Sequence, residues 1–140
     1  MESVTVVGLA ASVVQLIGAT TKAIKYLNDV KNAPKVRARL ARETISLLGL
    51  LMDLRYRVEE AKSTDPWLSG VHSLGVEGGP LEQFKNAMEE LADKLKPESG
   101  MKMLGKALLW TLDKDEIDST LSKIERLKTL VSLSLQKDHL

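Results

Sequence analysis

The feature that most constrains this chain is an uncharged segment at its N-terminus. No residue from Ser3 to Thr21 is charged, although 28% of the whole chain is Asp, Glu, Lys or Arg. As a helix this segment extends about 28 Å, close to the roughly 30 Å hydrocarbon core of a bilayer. Gln15 and several Ser and Thr residues make it more polar than a typical membrane span. The segment therefore suits either a core helix or a membrane-active helix.

Composition excludes several classes of function. The 140 residues, 44% of them hydrophobic, suit a single domain with a real core, spanning residues 1–140. A net charge of +1 and only one Phe, two Trp and two Tyr argue against a nucleic-acid partner. The absence of cysteine removes thiol chemistry and agrees with a cytoplasmic protein. Since Glu2 stands where a signal peptide carries Lys or Arg, we expect the N-terminal segment to be retained.

Hydrophobic periodicity predicts an all-α fold. Apolar residues recur at steps of three and four along most of the chain, and no stretch alternates as a half-buried strand does. The pattern predicts a single up-and-down bundle of four to five helices, the first of them long and apolar. The predicted helices are residues 1–31 and 35–62, a third that starts at Pro80 and is ended by residues 97–100, residues 102–111, and a last one that starts at Asp113, whose carboxylate can cap it. Residues 63–79, rich in Gly, Ser and Asp, are predicted to form a long loop.

The second predicted helix is apolar nearly all round, which is typical of a central, heavily buried helix. The apolar seams of three helices define the predicted core: Leu47, Leu51, Leu54, Phe84, Met88, Leu91, Ile117, Leu121 and Ile124.

No pattern of catalytic or ligand-binding residues stands out. The two histidines, His72 and His139, lack acidic or histidine neighbours at metal-ligand spacing. Nucleophile motifs and a phosphate-binding loop are also missing from the sequence. We therefore expect a protein that is not an enzyme, with no catalytic residue, metal or cofactor.

The first helix carries two kinds of surface. A seam of small or polar residues shares one face: Thr5, Gly8, Ser12, Gln15, Ala19 and Lys22. The rest is covered by the predicted membrane-active residues Val6, Val7, Leu9, Val13, Val14, Leu16 and Ile17. Either the seam faces solvent while the apolar face packs in the core, or the seam allows close helix approach in a membrane.

A basic cluster follows this helix. It comprises Lys31, Lys35, Arg39 and Arg42, with Arg37 between them and no acidic residue from Lys31 to Arg42. Basic residues near a membrane surface attract anionic headgroups by about 1 kcal/mol each. The alternative is a solvated helix face. The position of the cluster next to the uncharged helix favours headgroup docking.

Four segments resemble a known family. They are residues 7–17 (VGLAASVVQLI), 26–34 (YLNDVKNAP), 107–110 (ALLW) and 121–135 (LSKIERLKTLVSLSL). The chain resembles the HeLo-like N-terminal domains of fungal STAND proteins, the NOD-like receptors. A proline commonly follows the tryptophan of the third segment in that family, and Thr111 stands here instead.

The resemblance implies a bundle related to the HET-S HeLo domain and the four-helix bundle of MLKL. It also implies the N-terminal part of a longer receptor, with NTPase and repeat modules after this domain. In that family the N-terminal helix acts at membranes and causes programmed cell death. This cell death takes place in heterokaryon incompatibility and in fungal innate immunity.

The function expected from the resemblance is a cell-death effector that self-associates and moves from the cytoplasm to an anionic membrane, the plasma membrane. The alternative is a protein-interaction or oligomerisation module without membrane activity. Neither prediction includes a nucleic-acid partner.

Overall fold

The structure is a computed structural model. It describes the backbone of residues 2–28, 35–62, 64–95 and 114–137, and the side chains of 7–27, 38–62, 64–94 and 114–136. These residues form helices and no strand, which confirms the predicted all-α fold. The elements are α1 (Glu2–Asn28), α2 (Lys35–Glu60), α3 (Pro66–Val71), a 3₁₀ helix (His72–Gly75), α4 (Pro80–Leu95) and α5 (Lys114–Lys137). The predicted helix at 102–111 and the cap at Asp113 lie outside the described residues.

The four long helices form a bundle. Helix α1 packs against α2 and α4, while α5 packs against α2 and, less extensively, against α4. Going round the bundle, the order is therefore α1, α2, α5, α4. The short α3 contacts α5, and the 3₁₀ helix contacts α1 and α4. Each long helix buries its apolar stripe against two neighbours, which is the packing of a helical bundle.

The predicted core is confirmed. All nine residues named from the apolar seams are buried, and Leu47, Leu51, Leu54, Met88 and Ile124 are fully inaccessible to solvent. Helix α1 adds six residues to the same core: Leu9, Val13, Leu16, Ala19, Ala23 and Leu27. Burial of a leucine contributes about 1.5–3 kcal/mol, so this one cluster supplies most of the driving force for folding.

The prediction that α2 is the heavily buried central helix is wrong. Ile45 and Met52 are about half-exposed, and Tyr56 is more exposed still. Helix α2 packs mainly against α1 and α5, so its outer side meets solvent. Apolar residues on all sides of a helix do not show that it is buried, because burial depends on how many neighbouring helices surround it.

The predicted long loop at 63–79 contains α3 and the 3₁₀ helix. Asp65 caps α3 by accepting a hydrogen bond from the backbone N–H of Trp67, 2.9 Å away, and Pro66 suits its first turn. Four apolar side chains of this segment are buried: Trp67, Leu68, Val71 and Leu74. They are spaced one and three residues apart, a helical pattern that the surrounding Gly and Ser residues conceal.

Candidate membrane-active helix

One face of α1 belongs to the core of the bundle. Leu9, Val13 and Leu16 are buried, and Ala23 and Leu27 continue the same face toward the C-terminal end. Their spacing of three, four and seven residues keeps them on one side of the helix. Three of the predicted membrane-active residues thus pack against protein in this structure.

The opposite face of α1 is also apolar. Val7 is 71% exposed and Val14 is 43% exposed, and the two lie seven residues, or about two turns, apart. Gly18 continues this outer face, and Ile17 is half-buried at its edge. The side chain of Val6 lies outside the described residues. Helix α1 therefore presents apolar surface to the core and to solvent at once.

The small and polar seam does not lie wholly on the solvent side, which was one of the two alternatives for it. Gln15 is exposed, Gly8 and Ser12 are half-buried, and Ala19 is buried. The seam runs along the flank of α1 because the core-facing stripe passes through Ala19 and the adjacent Leu16. The side chain of Thr5 lies outside the described residues.

Thr20 carries a buried hydroxyl with no hydrogen-bond partner among the described residues. Its side chain is fully buried on the core face of α1. Thr44, equally buried on α2, instead donates to the Leu40 carbonyl oxygen at 2.6 Å. A buried polar group left without a partner costs about 1–3 kcal/mol. Thr20 is thus a weak point in the packing of α1.

The N-terminal half of α1 rests on the 3₁₀ helix. A Cβ atom placed on Gly75 would lie 2.8 Å from Leu9 Cδ1 and 3.4 Å from Leu9 Cα. A side chain at position 75 would therefore have to displace the end of the Leu9 side chain, which favours glycine there. The contact holds the first turns of α1 against the bundle.

The structure describes half of the predicted basic cluster. Arg39 and Arg42 are exposed on the first turns of α2, whereas Lys31 and the side chain of Lys35 lie outside the described residues. Lys25 is exposed in the last turn of α1. Because α1 packs against α2 and a short connection joins them, Lys25 lies at the same end of the bundle. The sequence prediction missed Lys25 because it considered only the acid-free stretch.

A charged pair joins α2 to α5 below this basic end. Lys128 Nζ lies 2.9 Å from Glu43 Oε1 and 3.9 Å from Glu125 Oε1. The hydrogen bond from Lys128 lowers the pKa of Glu43, with a further contribution from the Glu125 side chain. The carboxylate form of Glu43 is therefore favoured in the folded state.

The described surface offers little for catalysis. A groove between α4 and α5 is lined by Glu90, Lys94, Glu116 and Lys123 among others, and Lys94 forms an ion pair with Glu116 across it. Nowhere in residues 2–28, 35–62, 64–95 or 114–137 do three His, Asp or Glu side chains gather to hold a metal. His72 is exposed, and His139 lies outside the described residues.

Among the described helices, α1 is long and apolar enough to cross a membrane, over Val7–Leu27. Only 39% of this apolar stretch is buried in the bundle. Core helices of soluble proteins and signal sequences pass the same test of length and composition. Comparison of the chain with models of protein families, with curated proteins and with solved structures finds no match.

Proposed function

We propose that this chain is a cell-death effector or signalling domain that acts on a membrane through α1. The observation that carries the proposal is the apolar outer face of α1, marked by Val7 and Val14. A helix that is apolar on both sides can exchange a protein core for lipid, because each environment buries its hydrophobic surface. An ordinary surface helix carries charges along that whole side, whereas on α1 the charges of this side, Lys22 and Lys25, begin only after Thr21.

Release of α1 from the bundle is the proposed activating step. A helix moves between two environments only when the difference in free energy between them is small. The unpartnered hydroxyl of Thr20 reduces the stability of the packed state.

The basic end of the bundle is the proposed docking surface for anionic headgroups. Arg39, Arg42 and Lys25 are exposed there, and Lys31 and Lys35 are close in sequence. Their attraction to an anionic surface is worth about 1 kcal/mol per residue and weakens with salt. Docking at this end would bring α1 to the membrane before it inserts.

The wider setting follows from the resemblance to HeLo-like domains. We propose a NOD-like receptor of fungal innate immunity, in which NTPase and repeat modules cluster this domain and trigger programmed cell death or heterokaryon incompatibility. Homo-oligomers would then form in the cytoplasm and move to the plasma membrane. The domain itself carries the membrane step and no enzymatic one.

Dye leakage from vesicles tests the membrane step. The chain is clustered on phosphatidylserine vesicles by a C-terminal His-tag and a nickel-chelating lipid, and Gln15→Glu is compared with Gln136→Glu. Both glutamines are exposed, so both variants should keep the folded bundle within about 0.5 kcal/mol of its stability. Only position 15 enters the bilayer, where an acidic side chain is strongly disfavoured.

We expect Gln15→Glu to reduce leakage at least about tenfold, while Gln136→Glu leaks like the unchanged chain. Equal leakage by both variants, or none from the unchanged chain, would contradict the membrane mechanism.

The second candidate function is a protein-interaction module that never enters lipid. Three exposed apolar residues on α2, namely Ile45, Met52 and Tyr56, favour it. This module would work through the surface of the intact bundle, so Gln15→Glu would leave its activity unchanged.

A further inference from the structure

An apolar stripe follows the outer face of α2. It consists of Ile45, Gly49, Met52 and Tyr56, spaced four, three and four residues apart, so all four share one side of the helix. Ile45, Met52 and Tyr56 are 48%, 52% and 64% exposed. Isolated exposed apolar residues are ordinary, whereas a continuous row of them marks a site of association. The spacing is that of the seam between two paired helices.

Gly49 lies in the middle of the stripe and is exposed. A Cβ atom added to it would meet nothing within 4 Å, so packing inside this domain does not require glycine there. Glycine weakens a helix interior relative to alanine. A small residue at the centre of an apolar stripe lets a second helix approach closely, which is consistent with a helical partner.

Opposite charges stand at the two ends of one edge of the stripe, and the exposed Asp53 lies between them on that edge. Arg42 and Glu60 are 18 residues apart, which is five full turns at about 3.6 residues per turn. Both are exposed. The nearby Glu60 side chain raises the pKa of Tyr56, so this carboxylate lies beside the end of the stripe. One edge of the stripe therefore begins with a positive charge and ends with a negative one.

We propose that this stripe is the contact face between two copies of the chain, whose α2 helices pack antiparallel about a two-fold axis. In this register Ile45 of each copy lies opposite Tyr56 of the other, and Gly49 lies opposite Met52. Arg42 of each copy then lies within one residue of the level of Glu60 of the other, on the same side of the contact, so the pair occurs once at each end. The contact is self-complementary, as a two-fold interface must be.

The charges identify the partner and the orientation. A parallel pair would bring both Arg42 residues to one end of the contact and both Glu60 residues to the other, so each end would hold like charges and no ion pair. An antiparallel second copy satisfies both charges and aligns the apolar residues in one register. The stripe and its two end charges are therefore complementary to the same stripe on a second copy of the chain.

The contact is small. One helix face buries less than the roughly 1,200 Å² of stable complexes, so we expect a dissociation constant between about 10 μM and 1 mM. Tethering many copies raises their effective concentration and makes such a contact productive. The use of this contact in signalling rests on the proposed function, whereas the dimer itself does not.

Sedimentation equilibrium of the chain up to about 1 mM tests the dimer. Arg42→Glu alone and Glu60→Arg alone each place two like charges in contact, so each should raise the dissociation constant at least about tenfold. The double variant restores opposite charges in the antiparallel arrangement and should return to within about threefold of the unchanged chain. Arg126→Glu, an equal charge change at an exposed site on α5, is the control and should have no effect.

Met52→Glu introduces a charge into the stripe and should abolish the dimer while leaving the helical content unchanged. A chain that stays monomeric at about 1 mM, or a double variant as weak as the single ones, would overturn the proposal. The failure of the membrane mechanism has a separate readout. It would appear as unchanged leakage in Gln15→Glu, whose position is not on the stripe.

Discussion

Trp67 on α3 donates its indole N–H to the backbone carbonyl oxygen of Ser134 on α5, 2.7 Å away. Ser134 belongs to the last turn of α5, where helix carbonyls lack a donor from their own helix. On its other side, the ring of Trp67 lies 4.3 Å from the Arg57 guanidinium of α2, which pairs with Asp65 at 2.9 Å. One aromatic side chain thereby connects three helices.

Trp67→Phe should destabilise the domain by about 1–3 kcal/mol, because it leaves the Ser134 carbonyl without its donor and removes buried surface. Urea unfolding followed by circular dichroism measures the difference. Tyr56→Phe deletes a polar group from an exposed aromatic residue and should change stability by less than about 0.5 kcal/mol. Equal effects of the two changes would show that α3 does not stabilise the bundle.

Thr20→Val should stabilise the packed bundle by about 1–2 kcal/mol, since it replaces an unpartnered buried hydroxyl with a methyl group of the same shape. If release of α1 activates the domain, the same change should reduce vesicle leakage. Thr21→Val is the control, because Thr21 is exposed and its hydroxyl already donates to the Ile17 carbonyl oxygen at 2.8 Å. A Thr20→Val variant that is more stable yet leaks as much would separate stability from activation.

Gly75→Val should act in the opposite direction. Its side chain would collide with Leu9, destabilise the bundle by about 1–3 kcal/mol and increase leakage by loosening the first turns of α1. Adding Leu9→Ala makes room for the new side chain, so the double variant should lose less stability than the two single changes predict together. Gly18→Ala, at an exposed position with nothing within 4 Å, should not destabilise. Strict additivity would refute the Leu9–Gly75 contact.

The Glu43–Lys128 pair predicts a dependence on acid pH. The pKa of Glu43 is lower in the folded than in the unfolded chain, so the unfolded chain binds more protons as the pH falls. Its contribution to stability is present above about pH 4.3 and is lost as the pH falls through the lowered value. In Glu43→Gln, the free energy of unfolding should fall less between pH 7 and pH 3 than in the unchanged chain, by up to about 1 kcal/mol. Unfolding curves between pH 7 and 3 check it, and an identical slope in both proteins would contradict it.

The sequence was sufficient to predict the all-α class and the central core. Phe84, Met88 and Leu91 follow the helical period on α4, and Ile117, Leu121 and Ile124 follow it on α5. On both helices polar residues occupy the opposite side, so only one orientation buries the apolar stripe. The assignment to HeLo-like domains, in contrast, rests on short apolar motifs and remains a prediction.

The helix from Pro66 to Val71 escaped sequence analysis for a local reason. Its signals are an Asp65 cap, a proline in the first turn and two adjacent apolar residues, Trp67 and Leu68, in six residues. Isolated helices of this length are unstable in water, and tertiary packing supplies the stability that the local pattern lacks. The contact of Trp67 with α5 provides it, and no sequence window contains both partners.

The orientation of α1 was decided only by the tertiary structure. The sequence by itself determined that residues 3–21 carry no charge and favour a helix. It did not distinguish the buried Val13 from the exposed Val14, because both are equally apolar and adjacent. The two neighbours of α1 select which side is buried, and they leave Val7 and Val14 in solvent. An amphipathic helix has one apolar side, and that side is buried. When apolar residues lie on two sides of a helix, the packing of the neighbouring helices determines which side is buried.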